Sequence, residues 1–313
     1  MKEKISIIVP CYNEEESLPI FYKEIDKISK EMKSVDFEFL FINDGSKDKT
    51  LEILRKLAKK DKRVRYVSFS RNFGKEAGMW AGLENATGDY VAIMDADMQD
   101  PPSKVKEMYD ILSTDKEYDC VGLYTIDHKD YSFVRKVCTN IWYKLIGKIS
   151  NNRQVPGVRD FRLMRRQMVD AVLEMKEYNR YTKGIFSFVG FNTKWLEFKT
   201  GERVAGTSKF NFWKLFKYAL EGIISFSTTP LILSAIVGII LCLIAFIAVI
   251  VIIVKTLAFG DPVSGWPSLA CIVIFTSGLQ LFFLGVIGMY LSKTYLEVKK
   301  RPIYIVKETE KDI

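Results

Sequence analysis

The sequence predicts an α/β domain with a doubly wound, mostly parallel sheet, followed by two helices that cross a membrane. Three observations lead there. Short apolar runs alternate with helical segments over the first two hundred residues; polar clusters follow three of those runs; and two later stretches carry no charge. The strand candidates are Ile5 to Val9, Phe37 to Ile42, Val64 to Phe69, Tyr90 to Met94 and Asp119 to Leu123. They read as continuous apolar runs, as strands covered on both faces do. Helical periodicity fills the gaps near Ser17 to Met32, Asp48 to Lys60, Lys75 to Asn85 and Ser103 to Ser113. Gly88 is read as the C-terminal stop of the third helix. This order builds a sheet whose ligand lies at the carboxyl ends of its strands.

Beyond Leu123 the pattern loosens. Tyr131 to Ile149 reads as a helix, and short strands are expected at Gly157 to Met164 and Asn192 to Phe198. Phe210 to Phe226 sets Phe212, Phe216, Leu220 and Ile223 opposite Lys214 and Lys217. Such a helix either lies in a membrane interface or packs on the domain, and the sequence leaves both open.

From Gly222 to Val254, and again from Pro262 to Ser292, there is no charged residue. Each run exceeds the roughly 20 residues that span a bilayer. Lys209, Lys214 and Lys217 precede the first, and Lys293, Lys299, Lys300 and Arg301 follow the second; the linker holds only Lys255 and Asp261. The positive-inside rule then places both flanks in the cytoplasm. This accounts for the net charge of +8 without nucleic acid as a partner. No secretory signal is read ahead of Ile5. The five cysteines show no CxxC spacing, and His128 is the lone histidine. A zinc site, a disulfide framework and a Ser-His-Asp relay are therefore not expected.

The first strand runs into Pro10-Cys11-Tyr12-Asn13-Glu14, the second into Asn43-Asp44-Gly45-Ser46, and the fourth into Asp95-Ala96-Asp97-Met98-Gln99-Asp100. Asp44 and Asp48 are also the residue type that caps a helix. Three polar clusters at three strand ends converge on one crevice. Asp95 and Asp97, with the neutral oxygen of Gln99, form a hard donor set suited to Mg²⁺ or Mn²⁺ shared with phosphate oxygens. Arg203, Ser208 and Lys209 lie on a segment with glycines at positions 201 and 206, basic and mobile enough to close over a pyrophosphate.

These motifs, together with Arg71-Asn-Phe-Gly-Lys75, Gly157-Val-Arg-Asp-Phe-Arg162 and Arg203-Val-Ala-Gly-Thr-Ser-Lys209, resemble the family 2 glycosyltransferases of GT-A fold. The nearest resemblance is to the polyprenyl-phosphate hexose synthases, such as bactoprenol glucosyltransferases and dolichyl-phosphate mannose synthases. It implies inverting transfer of one hexose, glucose first, from a nucleotide sugar such as UDP-glucose to polyprenyl (undecaprenyl) phosphate. It further implies that Pro10, Tyr12, Asn13, Glu14 and Asp44 hold the nucleoside, that Asp95 and Ala96 border the pyrophosphate, and that Asp97 and Gln99 bind the metal. Asp160 would stand beside the anomeric carbon, and Arg203, Ser208 and Lys209 would close over the phosphates. Sequences of this kind carry an arginine just after the fifth strand, where this chain has Gly122-Leu123-Tyr124. Lys129, Arg135 and Lys136 are accordingly the candidates for the lipid phosphate. No Gln-x-x-Arg-Trp segment points to a processive polymerase, and no Gly-x-Gly-x-x-Gly follows the first strand.

The expected layout is a catalytic domain at 1–209, an amphipathic juxtamembrane helix at 210–229, a hairpin of two membrane helices at 230–292 and a cytoplasmic tail at 293–313. The expected location is the cell membrane, with the catalytic domain and both termini cytoplasmic; pairing of hairpins into a homo-oligomer is compatible with it. Two other readings stand beside this one: a glycosyltransferase with a glycolipid or protein hydroxyl as acceptor, and a non-catalytic membrane protein that binds nucleotide sugars.

Overall fold

The computed structural model describes residues 2–125, 157–198, 229–259 and 265–312. The chain divides into two units, one of Met1–Leu215 with Arg301–Ile313 and one of Phe216–Lys300.

In the first unit the elements run β1 (Lys4–Cys11), α1 (Leu18–Glu31), β2 (Asp36–Asn43), α2 (Thr50–Lys60), β3 (Val64–Phe69), α3 (Lys75–Asn85), β4 (Tyr90–Ile93), α4 (Lys104–Thr114) and β5 (Cys120–Tyr124). Then come β6 (Val158–Arg165), α5 (Arg166–Glu174), α6 (Thr182–Phe188) and β7 (Thr193–Glu197). The last strand, β8 (Val306–Thr309), closes the unit. The eight strands form one sheet in the order β7-β5-β6-β4-β1-β2-β3-β8. β1 lies parallel between β2 and β4, while β6 runs antiparallel to β4 and β5. All five apolar runs of the sequence are strands. Ile7, Phe39, Ala92 and Leu163 on one face and Ile8, Leu40, Val91 and Met164 on the other are fully buried, so the central strands need apolar residues on both faces. α1 closes one face by burying Leu18, Phe21 and Ile25.

Two local readings change. The third helix ends at Asn85, its next residue Ala86 already extended, so Gly88 is no helix stop. A Cβ on Gly88 would come within 2.7 Å of Lys4 O and Ser6 N, so the glycine allows β1 to pass against it. Gly122 is similarly required, because a Cβ there would lie 2.5 Å from the Trp195 ring.

The residues after 300 return to the sheet. β8 pairs antiparallel with β3. Glu308 accepts from Arg55 Nε at 2.8 Å and from the buried Tyr66 hydroxyl at 2.9 Å. Glu310 takes Arg65 at 3.0 Å, and Tyr304 stacks on Phe69 at 4.8 Å between centroids. An edge that would otherwise expose unpaired backbone groups is covered by the chain's own end.

The second unit holds α7 (Thr229–Phe259) and α8 (Trp266–Val298). Both are long and apolar enough to cross a membrane. Ile239, Phe246, Val254, Phe275, Leu281 and Leu291 are among their exposed side chains. A core helix of a water-soluble domain would hide them. Residues 131–149 and 210–226, which the sequence reads as helices, lie outside the described residues.

Candidate active site

The crevice forms where β1, β2 and β4 end side by side. Gly45, at φ +63°, turns the chain after β2 so closely that a Cβ would lie 2.4 Å from Arg71 C. Asp44, just before it, is buried; its carboxylate accepts from Phe73 N at 2.6 Å and Gly74 N at 2.9 Å. Burial raises its pKa, partly countered by those amide bonds. Asp44 thus fixes the 71–74 turn that launches α3 and delivers Lys75, with one amide bond on each of its oxygens.

After β1, Asn13 takes the left-handed backbone region. Its side-chain oxygen accepts from Lys47 N at 2.9 Å, and its amide donates to Ser46 Oγ at 3.0 Å. Glu14 is raised above the ordinary carboxylate range by burial and by the charges of Asp97, Asp95 and Asp48, against a hydrogen bond from Ser17. Tyr12 stays open to solvent and Pro10 is half-buried. Asp48 accepts from Thr50 N, the first amide of α2, at 3.0 Å, while the cap position itself is held by Lys49, with no side-chain cap bond.

The β4–β6 register assembles the centre. Ile93 pairs with Arg162 in an antiparallel ladder, so two residues further Asp95 comes opposite Asp160. Lys75 reaches between them, its Nζ 2.7 Å from Asp95 Oδ1 and 2.6 Å from Asp160 Oδ2. Lys183, at the start of α6, stands 3.5 Å from the other oxygen, Asp160 Oδ1, and donates to Val158 O at 3.2 Å. Burial alone would raise the Asp160 pKa, but Lys183 and Lys75 hold it well below the usual carboxylate range. Burial would lower Lys75, but Asp95 and Asp160 carry it above an ordinary lysine.

Below this centre Arg159 donates to Asp100 at 2.9 Å and to Gln99 Oε1 at 3.2 Å. Burial pushes the Asp100 carboxyl up to about 6 despite Arg159. Gln99 N donates to Asp97 Oδ1 at 3.2 Å, and Ala96 is buried between the two aspartates. Glu76, next to Lys75, accepts from Thr182 N at 2.9 Å, tying α3 to α6 and bringing both lysines to one carboxylate. Arg162 is buried with its guanidinium 3.8 Å above the Phe186 ring.

The sequence therefore brings Asp95, Asp97, Gln99 and Asp160 to one place. Lys75, Glu76, Arg159 and Lys183 complete the site without having been assigned roles; only their motif positions, Arg71–Lys75 and Gly157–Arg162, hinted at two of them. Arg203, Ser208, Lys209, Lys129, Arg135 and Lys136 lie outside the described residues. Among the described residues no group of three or more His, Cys, Asp or Glu could hold a metal ion unaided. The donors Asp95, Asp97 and Gln99 do fit a hard cation that takes its remaining ligands from a substrate, as Mg²⁺ does with phosphates. Burial first, and after it the charges of Asp95 and Asp97, raise Glu14 and Asp100, and such a cation would offset those charges.

A crevice at the carboxyl ends of a doubly wound sheet, with paired carboxylates and converging lysines, defines an α/β enzyme that handles a phosphorylated ligand. The chain belongs to glycosyl transferase family 2, whose description matches residues 6–173, and is a glycosyltransferase of GT-A fold. It is 44% identical over 308 residues to a prophage bactoprenol glucosyl transferase homolog from Escherichia coli (strain K12), covering 98% of this chain and 100% of that protein. It is 43% identical over 304 residues to a bactoprenol glucosyl transferase of Shigella phage SfV, covering 97% and 98% respectively. Among solved structures, it is similar to glucosyl-3-phosphoglycerate synthase from Mycobacterium tuberculosis in complex with phosphoglyceric acid. That likeness has a TM-score of 0.48 and 20% identity, over 72% of this chain and 79% of the other.

Proposed function

We propose that this enzyme moves glucose from UDP-glucose to polyprenyl phosphate, with inversion, at the cytoplasmic face of the cell membrane. The observation that carries the reading is identity above 40%, across essentially the whole chain, with proteins named for bactoprenol glucosyl transfer. Asp95, Asp97 and Gln99 would hold Mg²⁺ or Mn²⁺, which would neutralise charge on the leaving diphosphate. Pro10, Tyr12, Asn13 and Glu14 border the nucleoside, and Asp44 acts there through the turn it fixes. Arg203, Ser208 and Lys209 close over the phosphates.

Asp160 would lie beside the anomeric carbon, its carboxylate paired with Lys75 and Lys183. A carboxylate held so far down by two lysines is a poor proton acceptor. A phosphate monoester, with a second pKa of about 6, arrives largely ionised and needs no base. A hydroxyl acceptor would need one, so the state of Asp160 favours the lipid phosphate. Asp160 then orients the sugar and stabilises positive charge on the ring as the diphosphate departs.

The exposed apolar side chains of α7 and α8 support a membrane hairpin that follows a catalytic domain at 1–209. Both flanks of the hairpin join the same unit, because 301–313 return to the sheet. This supports a topology with both flanks on one side, and the basic flanks favour the cytoplasm.

The test is a panel of radiolabelled nucleotide sugars given to membranes that contain the protein and undecaprenyl phosphate. Label should pass from UDP-glucose to the lipid fraction and stop with excess chelator. Transfer from another donor at a higher rate would overturn the choice of sugar, and label only in water-soluble or protein products the choice of acceptor.

A further inference from the structure

We propose that Lys183 binds the phosphate of the acceptor and serves as the cation of the acceptor subsite; this rests on the transfer reaction above. The two oxygens of Asp160 face different ways. Oδ2 meets Lys75, which also holds Asp95 and so belongs to the side of the diphosphate. Oδ1 meets Lys183, whose ammonium also donates to Val158 O. A displacement needs its nucleophile and its leaving group on opposite sides of the reacting carbon. With the sugar seated at Asp160 and the diphosphate at Asp95, the attacking phosphate comes from the side Lys183 occupies.

The other described cations nearby are engaged. Lys75 contacts two carboxylates within 2.7 Å, and Arg159 holds Asp100 and Gln99. Arg162 is buried against Phe186, and Arg71 lies 4.0 Å over the Phe73 ring. Lys183 is different. Its side chain is one-third exposed, and 3.5 Å from Asp160 is an ion pair but a poor hydrogen bond. An ammonium has three donors, and Val158 O takes one. A phosphate dianion can recruit the others without breaking a short contact. The backbone of Thr182 is tied to Glu76 at 2.9 Å, so the base of the lysine is fixed while its head is available.

The experiment uses the full-length enzyme in detergent with undecaprenyl phosphate and UDP-glucose. Lys183→Met should raise the KM for the lipid about 10- to 100-fold, the scale of one charge-assisted hydrogen bond. The Kd for UDP-glucose, measured by calorimetry, should change by less than about twofold. Lys183→Arg restores the charge and should bring the lipid KM back to within about fivefold of wild type. An unchanged lipid KM in Lys183→Met overturns the proposal, as does an equal loss of donor affinity or a failure of Lys183→Arg to rescue. A wild-type enzyme that makes no lipid product sinks the proposed reaction as well, which separates the two failures.

Discussion

Replacing Asp160 with asparagine keeps size and hydrogen-bonding capacity but removes a charge that sits 2.6 Å from Lys75 and 3.5 Å from Lys183. Two charges 4 Å apart interact by about 4 kcal/mol at an effective dielectric of about 20. The sugar ring carries only part of a unit charge in the transition state, so about 2 kcal/mol is the lower end of the loss. At about 1.4 kcal/mol per decade this gives a rate reduction between roughly 30- and 1000-fold. The lost anion also leaves both lysines less neutralised, so affinity for the acceptor dianion should hold or rise. The assay is single-turnover transfer across pH 5 to 8, with donor affinity measured separately. The residual rate of Asp160→Asn should still climb through about pH 6 as the acceptor phosphate ionises. Donor affinity that falls as far as the rate, or a residual rate flat with pH, would refute the reasoning and return Asp160 to nucleotide binding or base catalysis.

Gly45→Ala puts a Cβ against Arg71 backbone at a left-handed φ and should cost about 1–3 kcal/mol. Because the strain falls on the turn that carries Lys75, kcat/KM should drop at temperatures where circular dichroism still reports a folded sheet; full activity would remove that turn from the site. Glu38 is buried, and although burial opposes it, hydrogen bonds from Ser6, Thr87 and Arg65 lower its pKa from 4.5 to about 2. Its stabilisation, about 3 kcal/mol, is complete above pH 4.5 and lost as pH falls through about 2. Acid unfolding of Glu38→Gln should lack that dependence, and identical acid profiles would refute it. Glu308→Ala strips the acceptor from the buried Tyr66 hydroxyl and should destabilise by about 1–3 kcal/mol. Amide exchange should quicken in β3 and β8 with sugar transfer intact; unchanged exchange would show that the returning strand is not held there by Glu308.

The central strands were legible because a strand buried on both faces must be apolar at every position, as in Ile5 to Val9 and Phe37 to Ile42. β8 was not legible for the opposite reason. Val306–Thr309 has a single apolar residue and two adjacent charges over only four positions, and what secures this end of the chain is Arg55 and Arg65, more than two hundred residues away. The place of Asp95 and Asp97 at a strand end could be read because they follow the apolar run of β4 closely. Lys183 could not, because its partner Asp160 is brought to it by the β4–β6 register and the Glu76–Thr182 tie, neither of which leaves a local pattern. Asp44 shows the limit from the other side. Its position after β2 is that of a ligand-binding residue, yet the turn at Gly45 directs its carboxylate to the amides of Phe73 and Gly74.

The charges of the site explain why its cations lie where they do. A nucleoside diphosphate sugar would reach Asp95 and Asp97 together with a divalent metal, which would offset most of the charge the donor brings. The acceptor is different, because a phosphate monoester near neutral pH brings close to two negative charges and no metal. Carrying it to Asp160, a third anion, would be repulsive by several kcal/mol at contact distances. Lys183 on one oxygen of Asp160 lowers that barrier with an ammonium on a flexible stem that can follow the phosphate, while Lys75 stays between Asp160 and Asp95. The same pairing keeps Asp160 ionised when the ring becomes positive. One carboxylate flanked by two lysines therefore admits an anionic nucleophile and stabilises a cationic transition state, and a neutral hydroxyl acceptor would require only the second.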